Sequence, residues 1–236
     1  MRKRITEYST FFREFRRTFD TTGALAPSGP FLARALARPL REHVGGPMRI
    51  LEVGPGTGAV TQEIVRHIRP NDCLHIVELN DRFVALLKRR FDAEPRFRRV
   101  AAQTSIFHAP VQELKVEAPY DYIVCGLPFN NFPPELVESI FRHLIGMLQP
   151  SGCMTFFEYL WVRPFKKLVA SREQRQRVVE VGGVLRRYLA QYERAQDRVF
   201  LNVLPAVAHY LRHESCGNGN GNGNGNARLR HDAAEH

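Results

Sequence analysis

From Met48 onward the chain alternates short apolar runs with amphipathic stretches. Residues 48–53 form an apolar run of strand length, and residues 59–68 then place Val60, Ile64, Val65 and Ile68 at helical spacing. Residues 73–78 form a second strand ending in Glu78, and residues 80–91 carry Phe83, Leu86 and Leu87 on one helical face. A weaker strand region follows over 97–108, then a fourth strand at 120–125, a helix at 134–148 and a fifth strand at 152–158. Strands separated by helices and short loops predict a parallel sheet covered on both faces. Residues 163–196 have helical composition interrupted at Gly182 and Gly183. Two last strand-like runs, 198–204 and 206–212, flank Pro205. They are joined too tightly for a helical crossover and are expected to be antiparallel.

Upstream, residues 5–20 place Tyr8, Phe11, Phe12, Phe15 and Phe19 at helical spacings, with Arg13, Arg16 and Arg17 among them. This predicts a short aromatic amphipathic helix, suited either to packing on the sheet or to lying in a membrane interface with its arginines on anionic phosphates. After a loop rich in Thr, Gly, Pro and Ser, Ser28 and Pro30 are placed to cap and open a helix over Phe31–Leu40, which Gly45, Gly46 and Pro47 close. From Gly217 the chain alternates Gly and Asn and has almost nothing to bury, which predicts a disordered tail. The expected division is therefore 1–29 as helix and loop, 30–216 as one catalytic-size domain, and 217–236 as tail.

Composition narrows the function classes. A chain of 236 residues with 44% hydrophobic content supports one well-buried core. No uncharged signal core and no long apolar run are present, so neither a secretory leader nor a membrane span is expected. The cysteines Cys73, Cys125, Cys153 and Cys216 are scattered without paired spacing, which argues for reduced thiols and no metal site. The formal charge of +10 calls for an anionic partner. That charge is concentrated in two segments: 163–200 has ten Lys or Arg against four acids, and 1–20 has six against three. Bilayer headgroups and a nucleic-acid backbone both fit such a surface.

The strongest chemical signal is Glu52-Val53-Gly54-Pro55-Gly56-Thr57-Gly58-Ala59, after the first strand and before a helix, where an open α/β sheet binds ligands at its carboxyl edge. With Gly54, Gly56 and Ala59 in the small-residue positions the string also satisfies a dinucleotide fingerprint, so spacing alone leaves the cofactor open. Glu78 lies 24 residues beyond Gly54 at a strand end, where a carboxylate accepts hydrogen bonds from ribose hydroxyls. Asn80 or Asp81 is available to cap the next helix. The fourth strand ends in Cys125-Gly126-Leu127-Pro128-Phe129-Asn130-Asn131-Phe132-Pro133, poor strand material and good site material.

The run from Glu52 to Gly58 resembles the first motif of class I AdoMet-dependent methyltransferases. That resemblance implies a Rossmann-like α/β fold: a mostly parallel seven-stranded sheet ending in an antiparallel hairpin, with helices on both faces. It also implies S-adenosyl-L-methionine (AdoMet, SAM) as cofactor. In that family Glu52 orients the amino-acid end, and Gly54, Pro55, Gly56, Thr57 and Gly58 form the loop beneath it. Glu78, Leu79 and Asn80 meet the ribose side. Ala109, Pro110, Val111 and Cys125 line the adenine and methyl sides, although no acid stands after the third strand where the family often has one.

Gly126-Leu127-Pro128-Phe129 resembles the Asn-Leu-Pro-Tyr motif of ribosomal RNA adenine dimethyltransferases, with glycine replacing the asparagine that would hold a nucleobase amine. Together with the aromatic basic N-terminal helix and the final hairpin, this form is more similar to bacterial phospholipid N-methyltransferases and ornithine-lipid N-methyltransferases. The resemblance implies methyl transfer to the amine of a membrane lipid, with phosphatidylethanolamine the leading expectation, by an enzyme peripherally bound to the inner face of the cytoplasmic membrane. Ornithine lipid, rRNA adenine and a non-catalytic basic binding protein stand as alternatives. Acceptor-side candidates are Gly126, Leu127, Pro128 and Phe129, with Tyr8, Glu158 and Tyr159 as proton acceptors. Arg163 and Lys167 are candidate ligands of the lipid phosphate, and Phe11, Phe12, Arg13, Phe15, Arg16, Arg17 and Phe19 are candidate membrane contacts.

Overall fold

The computed structural model describes residues 29–115, 117–160, 172–202 and 204–213, with side chains in the last helix from residue 176. Seven strands form one sheet in the order β3-β2-β1-β4-β5-β7-β6. They are β1 (Arg49–Val53), β2 (Cys73–Glu78), β3 (Thr104–His108), β4 (Tyr120–Cys125), β5 (Leu148–Tyr159), β6 (Glu193–Val199) and β7 (Ala206–Leu211). The first five pair in parallel, and β7 is antiparallel to both β5 and β6. In β1 every residue after Arg49 is buried, as expected for a central strand covered on two sides.

Helices α1 (Pro30–Leu36), α2 (Arg38–Glu42), α3 (Ala59–His67), α4 (Asp81–Ala93), α5 (Pro95–Arg98), α6 (Pro134–Met147) and α7 (Arg172–Tyr192) cover the sheet. One apolar cluster unites α6 and α7 with Leu51, Ile123, Cys125 and Phe156. The other unites α1, α3 and α4 with Ile50, Ile76, Val124 and Tyr210. On α7, Val178, Val181 and Leu185 recur at helical spacing and are buried. Glu138 of α6 ties that helix down by accepting hydrogen bonds from Arg187 (2.7 Å) and Tyr188 (3.0 Å).

Four expectations are corrected. The helix expected over Phe31–Leu40 is two helices that break at Ala37, with Gly29 rather than Ser28 at the first N-cap. Pro39 has no N–H to give Ala35, whose carbonyl accepts a backbone N–H at the C-cap and the Tyr210 hydroxyl at 2.6 Å. Tyr122 and Thr155 likewise bond the Leu36 carbonyl, which seats α1 on the sheet. The region 97–108 is strand only from Thr104, because α5 and a 3₁₀ turn at Ala101–Gln103 occupy its first half. Helix α7 runs through Gly182 and Gly183 without interruption, because burial of its valine and leucine face outweighs the poor helix propensity of two glycines. The last hairpin begins at Glu193, five residues before the expected position, and its strands are Glu193–Val199 and Ala206–Leu211. Polar Glu193–Gln196 conceals an edge strand that pairs on one side only. The expected N-terminal helix and the tail lie outside the described residues.

Candidate active site

The strand order reverses between β1 and β4, and the loops leaving these two strands meet there. Gly54, Gly56 and Gly58 all have positive φ (66°, 57° and 84°), which a side chain would strain. Gly54 N donates to Val77 O (2.9 Å), tying the loop to β2, and Gly58 N donates to Pro55 O (2.9 Å) before α3 begins. A Cβ on Gly56 would meet nothing within 4 Å, so a ligand has free approach to this backbone.

Glu78 braces the loop from the end of β2. Its Oε1 accepts from Leu79 N and Asn80 N, both at 2.8 Å, and its Oε2 accepts from Gly56 N at 3.2 Å. Burial raises its pKa, and these three backbone donors pull it partly back. Asn80 caps α4 by accepting from Arg82 N at 3.0 Å. Glu52 stands one residue before the end of β1, only 1% exposed, and neither carboxylate oxygen makes a well-formed hydrogen bond. Burial pushes its pKa up to about 8, with Glu78 adding to the rise and Thr61 and Arg90 opposing it.

Across the crevice, Gly126 N donates to Val53 O at 2.8 Å. A Cβ on Gly126 would lie 2.6 Å from Gly54 O, and one on Gly54 would lie 2.5 Å from Leu127 Cδ2. The two loops therefore touch backbone to backbone, and Gly126 is demanded by that approach. Pro128 O accepts from Asn131 N (3.0 Å), holding the turn. The Phe129 side chain is 3% exposed and packs on Phe132, Phe141 and Phe156, which places it in the core rather than against an acceptor. Cys125 is fully buried and its thiol pKa is pushed up to about 12, so it contributes a neutral wall. Leu79, Phe107, Val111 and Leu127 join one apolar cluster beside the crevice, and Ala109 and Pro110 lead into it from β3.

Strand β5 runs three residues beyond the Cys125–Phe156 pair, which brings Glu158 and Tyr159 to the same edge as Gly126. Alternation then separates them. Tyr159 packs edge-on against Phe157 in the cluster under α1, where burial raises its pKa. Glu158 lies on the opposite face, with His209 Nε2 3.5 Å from its Oε2.

The buried, poorly satisfied carboxylate of Glu52, the open backbone at Gly56 and the acid at the end of β2 fit a ligand with a cationic amino-acid end and a ribose. Residues 50–152 match the family model described as a methyltransferase domain. The matched span, set in this sheet order, is a methyltransferase domain of class I fold. Among similar proteins, ornithine lipid N-methyltransferase of Singulisphaera acidiphila is 29% identical over 159 residues, 67% of this chain and 81% of that protein. Ribosomal RNA small subunit methyltransferase A of Synechococcus sp. (strain CC9311) is 33% identical over 94 residues, and the match spans only 32% of that relative. The fold is shared with the glycopeptide N-methyltransferase MtfA complexed with sinefungin (TM-score 0.61, 15% identity, 84% of this chain and 91% of that one). It is shared equally with N-methyltransferase NodS from Bradyrhizobium japonicum in complex with S-adenosyl-L-homocysteine (TM-score 0.57, 16% identity, 79% and 89%).

Two further residues of this methyltransferase site carry no motif. Arg90 of α4 donates from Nη1 to Thr57 O and Gly58 O, both at 3.1 Å, strapping the glycine loop from outside. Its guanidinium also lies 4.2 Å from the Phe97 ring centroid. Gln112, in the 3₁₀ turn that follows β3, has both amide atoms buried without a hydrogen-bond partner. Neither is signalled by spacing, since each becomes visible only when distant segments are brought together. Tyr8, Arg163, Lys167 and the aromatic and arginine positions from Phe11 to Phe19 lie outside the described residues. No described helix is long and apolar enough to cross a membrane.

Proposed function

We propose that the chain methylates the primary amine of a membrane lipid, and that the acceptor is an ornithine lipid rather than the phosphatidylethanolamine first expected. The observation that carries the reading away from nucleobases is Gly126. The nucleobase-type motif places asparagine there, and any Cβ at this position meets Gly54 O at 2.6 Å. A lipid ammonium needs no planar amide clamp: it needs an acceptor for its proton and an apolar wall that excludes water. The similarity to the ornithine lipid enzyme, which spans 67% of this chain, favours ornithine over ethanolamine as headgroup.

Glu52, the glycine loop and Glu78 hold S-adenosyl-L-methionine, which supplies an electrophilic methyl on a sulfonium. The chain's own residues position and desolvate the amine opposite it. The basic segments of the sequence are assigned to an anionic bilayer surface, which makes the protein a peripheral one. The rRNA reading has its own support in 33% identity to the small-subunit enzyme, but that match covers 40% of this chain.

The test is transfer of labelled methyl to vesicles containing ornithine lipid, to vesicles containing phosphatidylethanolamine, and to ribosomal RNA. Label in ornithine lipid is the expected result. Label confined to phosphatidylethanolamine changes the headgroup, and label confined to RNA sinks the aminolipid reading.

A further inference from the structure

His209 stands in the middle of β7, 6% exposed, between two carboxylates from neighbouring strands. Its Nδ1 lies 2.6 Å from Glu193 Oε1 on β6, and its Nε2 lies 3.5 Å from Glu158 Oε2 on β5. The ring stacks on Phe156 at 4.8 Å and 22°, and Phe156 in turn meets Phe129 from the loop that follows Gly126. Among the described residues, these two acids are the charged groups facing the imidazole. Burial by itself would lower the imidazole pKa, but the hydrogen bonds and charges of Glu158 and Glu193 outweigh it, so the net shift is upward.

A Glu-His-Glu row is a costly way to close a hairpin, because three polar groups are withdrawn from water where apolar pairs would serve. The row does not run at random: one end, Glu193, is 27% exposed at the sheet margin, and the other, Glu158, is 15% exposed at the acceptor edge. We propose that His209, anchored by Glu193, is a positioning residue that fixes Glu158 as the carboxylate that pairs with the acceptor's ammonium and takes its proton. This rests on the amine-acceptor reading above. In the step, an ammonium N–H bond breaks and a Glu158 O–H bond forms, while the electron pair stays on nitrogen and becomes available to the methyl group. Glu158 then returns the proton to solvent through its exposed side.

Only the imidazolium carries an N–H on both ring nitrogens, so only the charged ring can hold Glu193 through Nδ1 and attract Glu158 across the 3.5 Å from Nε2, which makes no well-formed hydrogen bond in this structure. Positioning is therefore complete below the raised pKa of His209 and is lost as pH rises through it. Wild-type protein is expected to show an alkaline decline in kcat for aminolipid methylation. His209→Gln removes that limb and lowers kcat at neutral pH by tenfold or more, while S-adenosyl-L-homocysteine affinity stays within twofold. Glu193→Gln, which leaves the imidazole in place, produces an intermediate loss and moves the limb to lower pH. A loss that is equal at every pH and follows the fall in Tm assigns His209 a structural role only and overturns the proposal, as does unchanged kcat in both variants.

A second measurement separates this proposal from the acceptor reading. In the full-length protein with labelled histidine, NMR titration of His209 is expected to give a midpoint above 6.5 that falls in Glu158→Gln. A midpoint below 6.5, or one indifferent to Glu158, overturns the positioning role even where lipid methylation is confirmed. Absence of lipid methylation by wild type, with the titration as expected, overturns the amine-acceptor reading instead.

Discussion

The two sides of the crevice are built from different material. On the β1–β2 side the loop is built of main chain: three glycines at positive φ expose their peptides, Arg90 and Glu78 brace that backbone, and Glu52 adds a buried carboxyl beneath it. On the β4–β5–β7 side, main chain is packed away and side chains line the crevice, with Glu158 at the sheet's edge and His209 and Phe129 buried behind it. A backbone site can be written in a short local string, because glycine is the only residue that permits it. A side-chain site is assembled from strands about fifty residues apart, and no string records it. The contrast explains why a cofactor half is widely shared among enzymes whose acceptors differ.

The largest effect is expected where the two halves touch. Gly126→Asn forces a Cβ to 2.6 Å from Gly54 O, and its three nearest atoms, Gly54 O, Gly54 C and Val53 O, are all backbone that cannot yield. Overpacking of this kind costs about 1–3 kcal/mol in stability. Because the displaced atoms carry the cofactor loop, methyl transfer is expected to fall by two orders of magnitude or more, roughly the cost of a small misplacement of reacting groups. Thermal unfolding and S-adenosyl-L-homocysteine titration check this. A variant that binds the ligand normally and transfers methyl to RNA would show that the halves are independent and that Gly126 sets acceptor choice alone.

The legible part of the molecule follows the same division. The β1 to β5 alternation and the glycine loop were readable because a buried parallel sheet imposes apolar runs and because positive φ selects glycine. The place of Glu78 at the end of β2, beside the loop, was readable from its distance to the glycines. Arg90 was not, because its contacts with Thr57 and Gly58 depend on how α4 packs, 32 or more residues away. His209 was equally silent: it sits in the run Ala206–Leu211 as one polar residue in an apolar strand. Edge strand β6 was misplaced because its residues are polar, and Phe129 was read as an acceptor contact because a motif gives order along the chain but no side-chain direction.

Glu52 sharpens the cofactor half. Its pKa is raised from 4.5 to about 8 by burial, so the folded state favours the protonated acid. That contribution is fully present below about pH 4.5 and is lost as pH rises through 8. Glu52→Gln keeps the shape and removes the titration, so its Tm relative to wild type should climb over that window and level off above it. The same change removes the carboxyl that can ionise beside the ligand's cationic amino-acid end. S-adenosyl-L-homocysteine should bind roughly ten- to a hundredfold more weakly, the equivalent of about 1.5–3 kcal/mol for a hydrogen bond to a charged group. A flat Tm difference across pH would mean that the carboxylate is solvated.

Arg90→Met tests whether the loop needs its outside strap. Methionine fills much of the same space over Phe97 but cannot donate to Thr57 O and Gly58 O. Loosening these two contacts should raise KM for S-adenosyl-L-methionine by roughly three- to tenfold, about 1 kcal/mol, with kcat nearly unchanged. An equal fall in kcat would mean that the strap also orients the methyl toward the acceptor side, which blurs the division between halves.

The smallest expected change lies in α7, the helix that covers the acceptor half. Gly183 is in helical conformation, and an added Cβ would meet nothing within 4 Å. Alanine there should stabilise the fold by about 0.5–1 kcal/mol, since glycine pays more backbone entropy than alanine inside a helix. If α7 moves as a unit to admit a lipid headgroup, stiffening it at Gly183 should leave the cofactor KM untouched while slowing turnover on vesicles. If α7 is a fixed cover, turnover should be unchanged and only Tm should rise. Urea unfolding and vesicle kinetics on Gly183→Ala separate these outcomes, and a loss of stability would show that the helix needs a hinge at the glycine pair after all.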